Sequence, residues 1–120
     1  MERKAIAFLT CLLAPSLSIG DAMDSLERYV GYTIAAVTHI AGYVDPNGKK
    51  SDDFEGCEYD RRIVFDDGNA LVCSSYHYHY AYHPKAAILI KGSAVSGQQY
   101  ATVVMIVGDD AYPMQGFFAK

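Results

Sequence analysis

Residues 61 to 76 read RRIVFDDGNALVCSSY, and the middle of this stretch limits the possible folds more than any other. Asp66-Asp67-Gly68-Asn69 stands between two runs rich in branched apolar residues. Asp-Gly in that setting is a strong hairpin signal, because glycine accepts the positive φ that tight turns between strands need. A two-residue turn at Asp67-Gly68 predicts that Phe65 faces Ala70, Ile63 faces Val72 and Arg62 faces Cys73. Carried further, that register sets Cys57 against Tyr78, Glu58 against His77 and Tyr59 against Tyr76. Side chains alternate along a strand. Cys57 and Cys73 would then lie on opposite faces of a regular ladder, where no bond can join them. A disulfide therefore requires the first strand to break before Cys57. Glu55-Gly56 supplies a bend, which puts Cys57 on a loop or bulge folded over the hairpin.

Whether the two thiols are oxidised depends on the compartment. The chain opens with Arg3 and Lys4, continues with an apolar run from Ala5 to Leu13 that extends weakly to Ile19, and then reaches small residues. This is the pattern of a secretory signal peptide, residues 1–20, with cleavage after Gly20 or, as the alternative, after Ala22. The apolar run is shorter than the roughly 20 residues of a membrane span. Of the three cysteines, Cys11 leaves with the leader. Cys57 and Cys73 remain, and an exported chain meets an oxidising environment, so one disulfide is expected. Residues 21–120 form one small domain, placed in the periplasm or secreted.

The remaining segments read mainly as strands. DAMDSLERY, residues 21–29, has the makings of one or two helical turns. YTIAAVTHIAGYV is rich in β-branched and aromatic residues, with Gly42 as a candidate bulge. Asp45-Pro46-Asn47-Gly48 reads as a turn. His83-Pro84 interrupts the chain after the tyrosine-rich run. AAILIKG and YATVVMIV are short apolar strands that suit a sheet core or a dimer seam. AYPMQGFF is expected at a sheet edge, because Pro113 lacks the N–H that a central strand needs. The fold class is therefore all-β in the main: a small antiparallel roll or barrel of five to six strands carrying one disulfide.

Residues 74 to 83, SSYHYHYAYH, hold the candidate functional groups. Tyr76, Tyr78, Tyr80 and Tyr82 share one parity, and His77, His79 and His83 the other. Tyrosine offers apolar area with a polar tip, so Tyr80 and Tyr82, with Tyr76, Tyr78 and Tyr59, are a candidate binding surface. Tyr76 and Tyr78 are expected to pack in the core of a chain that has no tryptophan. His77 and His79 point the same way with Cα atoms about 6.6 Å apart, a spacing that lets two imidazoles meet one ion. Imidazole suits copper or zinc. Glu58 and His83 are candidate supporting ligands, although a straight strand would hold His83 about 13 Å from His79. No cofactor is expected otherwise.

Charge excludes some partners. Removal of the leader takes Glu2, Arg3 and Lys4 and leaves eight basic and thirteen acidic residues. No basic run survives, which disfavours nucleic acid and anionic membrane surfaces. No later segment is long and apolar enough to span a membrane. Ser74 and Ser75 lie near histidines in sequence, but adjacency does not make a triad. The expectation is a non-enzymatic binding or structural module for an envelope protein or a glycan. The stretches GYTIAAVTHIAGYVDPNGKK, DDFEGC, RRIVFDDGNALVCSSY and AYHPKAAILI together resemble a group of small, uncharacterised exported bacterial proteins, most specifically in FEGC at residues 54–57 and in FDDG followed by LVCSSY. The resemblance implies export and a disulfide-bearing β domain. It assigns no activity, ligand or residue role.

Overall fold

The computed structural model describes residues 19–95, 98–115 and 118–119. The apolar leader lies outside these residues apart from its last two positions. The chain divides into two units, residues 1–30 and 31–120. In the first, helix α1 spans Ile19–Glu27. It begins two residues before the expected Asp21 and runs through both candidate cleavage positions.

The second unit is a curled antiparallel sheet, a half-barrel. Its strands are β1 (Thr33–Val44), β2 (Lys50–Ser51), β3 (Arg62–Phe65), β4 (Ala70–Val72), β5 (Lys85–Val95), β6 (Gln98–Val107), β7 (Asp110–Met114) and β8 (Phe118–Ala119). The main path runs β4-β3-β1-β5-β6-β7, and the two-residue strands β2 and β8 pair with β1 and β6. This is the expected class, with six strands on the path. β1 joins the two halves: its first part pairs with β5, and its second lies between β2 and β3. Register shifts between Ile34 and Ala36, and between Ile40 and Gly42, mark two bulges. Bulges bend a strand and raise its twist. Gly42 is fixed at the second by space, since a Cβ there would overlap the Ser51 carbonyl.

The core lies inside the curl. Ile40, Tyr43, Ile63, Phe65, Ala86, Ile88, Val103, Met105, Val107, Tyr112 and Met114 line it, and Phe54, Cys57 and Cys73 complete it. Register explains the selection. Ile88, Met105 and Tyr112 are successive cross-strand partners, so they share one face. Pro113 pairs at the outer edge of β6, as expected. Its carbonyl accepts a hydrogen bond from the Ser74 amide at 3.3 Å. The N and C=O of a strand residue point to the same side, so the missing N–H faces away from β6.

The central hairpin forms where expected, in a different register. Arg62 pairs with Val72, Ile63 with Leu71 and Val64 with Ala70. The Phe65 amide donates to the Asn69 carbonyl at 2.9 Å, which leaves Asp66, Asp67 and Gly68 as a three-residue loop. Gly68 takes a φ of 88°. Three-residue hairpins end in such a left-handed residue, whereas the two-residue turn has positive φ at both central positions. Each partner on β4 is thereby one residue earlier than expected, and every side chain beyond it changes face.

Cys57 and Cys73 are bonded, with Cα atoms 5.6 Å apart. Cys57 lies outside the named strands, bridged to His77, while Cys73 bridges to Met114 at the end of β7. The first strand does stop short of Cys57, but the break falls at Tyr59-Asp60, where Asp60 adopts a φ of 67°, and not at the expected Glu55-Gly56. Beside it Arg61 is buried, with 3% of its surface exposed. Its Nε donates to Asp45 Oδ1 at 2.6 Å and its Nη2 to Asp45 Oδ2 at 3.3 Å. Its guanidinium stands 3.8 Å from the centre of the Tyr43 ring. Replacing both cysteines by alanine is expected to lower unfolding free energy by about 3 kcal/mol, the chain entropy of a loop of roughly 15 residues. Urea unfolding of Cys57→Ala/Cys73→Ala beside the oxidised protein measures it.

Candidate functional site

The run SSYHYHYAYH is not a regular strand. It lies antiparallel to residues 54–57, held by two isolated bridges, Phe54 to Ala81 and Cys57 to His77. Each bridge carries two backbone hydrogen bonds of 2.8–3.2 Å. Between them one side has two residues and the other three, so the ribbon bulges on the tyrosine side. Gly56 makes the close approach possible. Its φ is 83°, and a Cβ would overlap the His77 carbonyl.

Phe54 and Cys57 turn inward and are fully buried. The tyrosines turn outward. Tyr76 and Tyr78 are each 62% exposed, Tyr80 52%, Tyr82 79% and Tyr59 67%. Packing of Tyr76 and Tyr78 in the core is thus overturned. The cause is the register: on β3 the buried face carries Ile63 and Phe65, and their side of the partner chain passes through Leu71 and Cys73. The even positions, Ser74 and Tyr76 among them, fall outside. Asp53 and Glu55 flank the row. The charge of Asp53 above all, then slight burial and Glu55, pushes the Tyr80 phenol up from its ordinary range.

The histidines divide into two places. His77 Nε2 lies 3.7 Å and His79 Nδ1 3.5 Å from the same oxygen, Asp110 Oδ2. The His77 ring also meets Tyr112 edge to face, with centres 5.3 Å apart. His83 belongs elsewhere: its Nε2 is 3.1 Å from Asp66 Oδ2, and its ring stacks on His39 at 5.3 Å. Glu58 is held by Arg61, with an oxygen 3.2 Å from Nη2. The expected quartet of His77, His79, Glu58 and His83 is therefore a pair with two members engaged by other side chains. Among the described residues, no three His, Cys, Asp or Glu side chains are arranged to hold a metal ion. Asp110 and His39 are the neighbours that sequence reasoning missed. Asp109-Asp110 has the composition of a turn, and what brings that carboxylate to the histidines is the contact of β7 with the chain after β4, where Cys73 bridges to Met114 and the Ser74 amide donates to the Pro113 carbonyl.

Tyr112 lies beneath His77, with no exposed surface. Among the described residues its hydroxyl has no partner in good hydrogen-bond geometry, although Asp110 lies close enough to act on it. Burial, and then the nearby charge of Asp110, push this phenol up to about 12. A buried hydroxyl without a partner costs about 1–3 kcal/mol of lost hydration. Tyr112→Phe is therefore expected to leave stability unchanged or raise it by about 1 kcal/mol at neutral pH. Because the folded pKa lies above the unfolded value of 10, the unfolded chain gives up this proton first, and stability falls as the pH rises from 10 towards 12. Denaturant unfolding between these pH values is expected to show a smaller alkaline loss in Tyr112→Phe than in the parent.

Comparison with protein-family models, curated proteins and solved structures finds no match to this chain.

Proposed function

We propose that this chain is an exported binding module, not an enzyme, and that Tyr76, Tyr78, Tyr80 and Tyr82, with Tyr59 beside them, are its contact surface towards a macromolecule of the cell envelope. One observation carries the reading: all five rings expose more than half their surface. Tyrosine is enriched at protein interfaces because its large, stiff ring loses little rotamer entropy on binding and its hydroxyl finds a partner at the rim. Export to the periplasm or beyond is supported by the basic-apolar-small pattern of residues 1–20 and by the disulfide at the centre of the domain.

The reading is tested by co-sedimentation of the exported protein with envelope fractions of its own bacterium. Retention is expected to fall about tenfold or more in Tyr80→Ala/Tyr82→Ala, as for truncated aromatic anchors in other interfaces. Unfolding curves should stay unchanged, since neither ring belongs to the core. Equal retention of the folded variant would remove the reading.

A second reading, binding of copper or zinc by His77 and His79, is favoured by the position of Asp110, which approaches both rings. An ion would have to draw the two imidazoles and that carboxylate inward. Titration with either metal is expected to give one equivalent bound and none in His77→Ala/His79→Ala. Binding that survives in the variant would place the metal elsewhere.

A further inference from the structure

The tyrosine surface has a charge that narrows the choice of partner. Residues 51–84 contain seven carboxylates, Asp52, Asp53, Glu55, Glu58, Asp60, Asp66 and Asp67, against Arg61 and Arg62. That stretch carries a net charge of −5, while the whole chain carries −4. Of its two cations, Arg61 is buried on Asp45. Lys49, Lys50 and Lys85 flank this stretch in sequence, so the acids that bear on the rings are those placed next to them, Asp53 and Glu55.

The pairing is local as well as statistical. The bridge between Phe54 and Ala81 sets Asp53 and Glu55 beside Tyr80 and Tyr82. Phe54 and Cys57 take the inward places, Tyr80 and Tyr82 are exposed, and Asp53 and Glu55 are half-buried beside them, with Glu55 also acting on the Tyr43 phenol. The field of Asp53 at the Tyr80 phenol reports the same proximity. Glu58 has a cationic partner in Arg61, and Asp66 lies against His83. Among the described residues, Asp52, Asp53 and Glu55 form no ion pair with a cation.

We infer that the partner is a protein presenting a lysine- and arginine-rich face, taken up by Tyr78, Tyr80 and Tyr82 together with Asp53 and Glu55. This rests on the reading of the tyrosine row as a contact surface and names the chemistry it accepts. A ring face attracts a cation through its quadrupole, and guanidinium adds stacking. A carboxylate next to the ring supplies a charge-assisted hydrogen bond to the same group. A neutral glycan would stack on the rings but strip water from the flanking carboxylates without replacing it, which costs binding free energy. An anionic surface would be repelled.

Isothermal titration of the exported protein with an oligo-arginine peptide, and separately with a neutral chito-oligosaccharide, tests the inference. The expected result is binding of the peptide that weakens as salt is raised to about 0.15 M. It should weaken about fivefold to tenfold in Tyr80→Ala/Tyr82→Ala, the size of two exposed cation–π contacts. Asp53→Asn/Glu55→Gln should weaken it by a similar factor. Asp24→Asn/Glu27→Gln, on α1, removes as much charge and should leave it unchanged. Peptide binding that falls equally in all three variants, or that ignores the tyrosine pair, would reduce it to general charge attraction and overturn the inference. Absence of peptide binding would overturn it as well. Oligosaccharide binding lost in the tyrosine variant but kept in the acid-neutralised one would overturn it while leaving the tyrosine surface in place. A tyrosine variant that changes neither titration and is retained on the envelope like the parent would remove both.

Discussion

The bond between Cys57 and Cys73 is the constraint on which the arrangement of the β unit turns. Cys73 stands where several parts of the chain meet. Its amide donates to the Arg61 carbonyl, its carbonyl accepts from the Asp60 amide, and it bridges to Met114 at the far end of the sheet path. The first strand in the sheet order thus touches the last. The disulfide adds residues 54–57 to that junction. With Cys57 fixed, Phe54 is carried into the core and its backbone becomes the template for residues 77–81. Tyr78 and Tyr80 lie between the two bridges and face outward, while Phe54 and Cys57 enter the core.

Arg61 makes the second tie. An ion buried in a small domain gains little net stability, because the attraction to its partner roughly offsets the hydration it gives up. Its geometry is nonetheless selective. Asp45 takes two of its nitrogens, the Gly56 carbonyl accepts from Nη1 at 3.3 Å, and Tyr43 offers its ring face. Burial works against the charge, but Asp45 and the other acidic neighbours prevail and hold the guanidinium in its charged form more firmly than usual. Asp45 opens the turn after β1, and Gly56 belongs to the ribbon that carries the tyrosines. A single side chain therefore fixes the distance between that turn and the ribbon, which hydrophobic packing alone would leave free to slide.

Much of this fold was legible in residue patterns. The hairpin at Asp66 to Asn69, the bulge at Gly42, the edge position of Pro113 and the apolar strands β5 and β6 each follow from a local rule about φ, donors or alternation. The loop length at Gly68 does not. Both a two-residue and a three-residue turn accept Asp-Gly, and the choice is made by Phe65 and Ile63 entering the core. That one residue decides which positions of β4 share the face of Ile63, and beyond Cys73 the chain leaves the ladder for residues 54–57, so the two-residue register could not be carried on to Tyr76 and Tyr78. The disulfide was reached by a sound rule on a shifted register. In the observed register the cysteines share a parity but sit too far apart along the ladder, and the turn at Tyr59-Asp60 closes that distance. Asp110 was hidden for a different reason: its neighbours come from another strand, and nothing near it in sequence points to His77 or His79.

The alternation that makes this ribbon also keeps its two chemistries apart. His77 and His79 meet Asp110, and His77 also Tyr112, with about half of each histidine side chain open to solvent. The tyrosine parity meets solvent, with Asp53 and Glu55 beside it. The acids then have two effects from one placement. On the proposed reading they would select a cationic partner through Coulomb attraction, and they would oppose the self-association that exposed aromatic rings along an irregular edge otherwise invite, because two copies of this surface would repel each other.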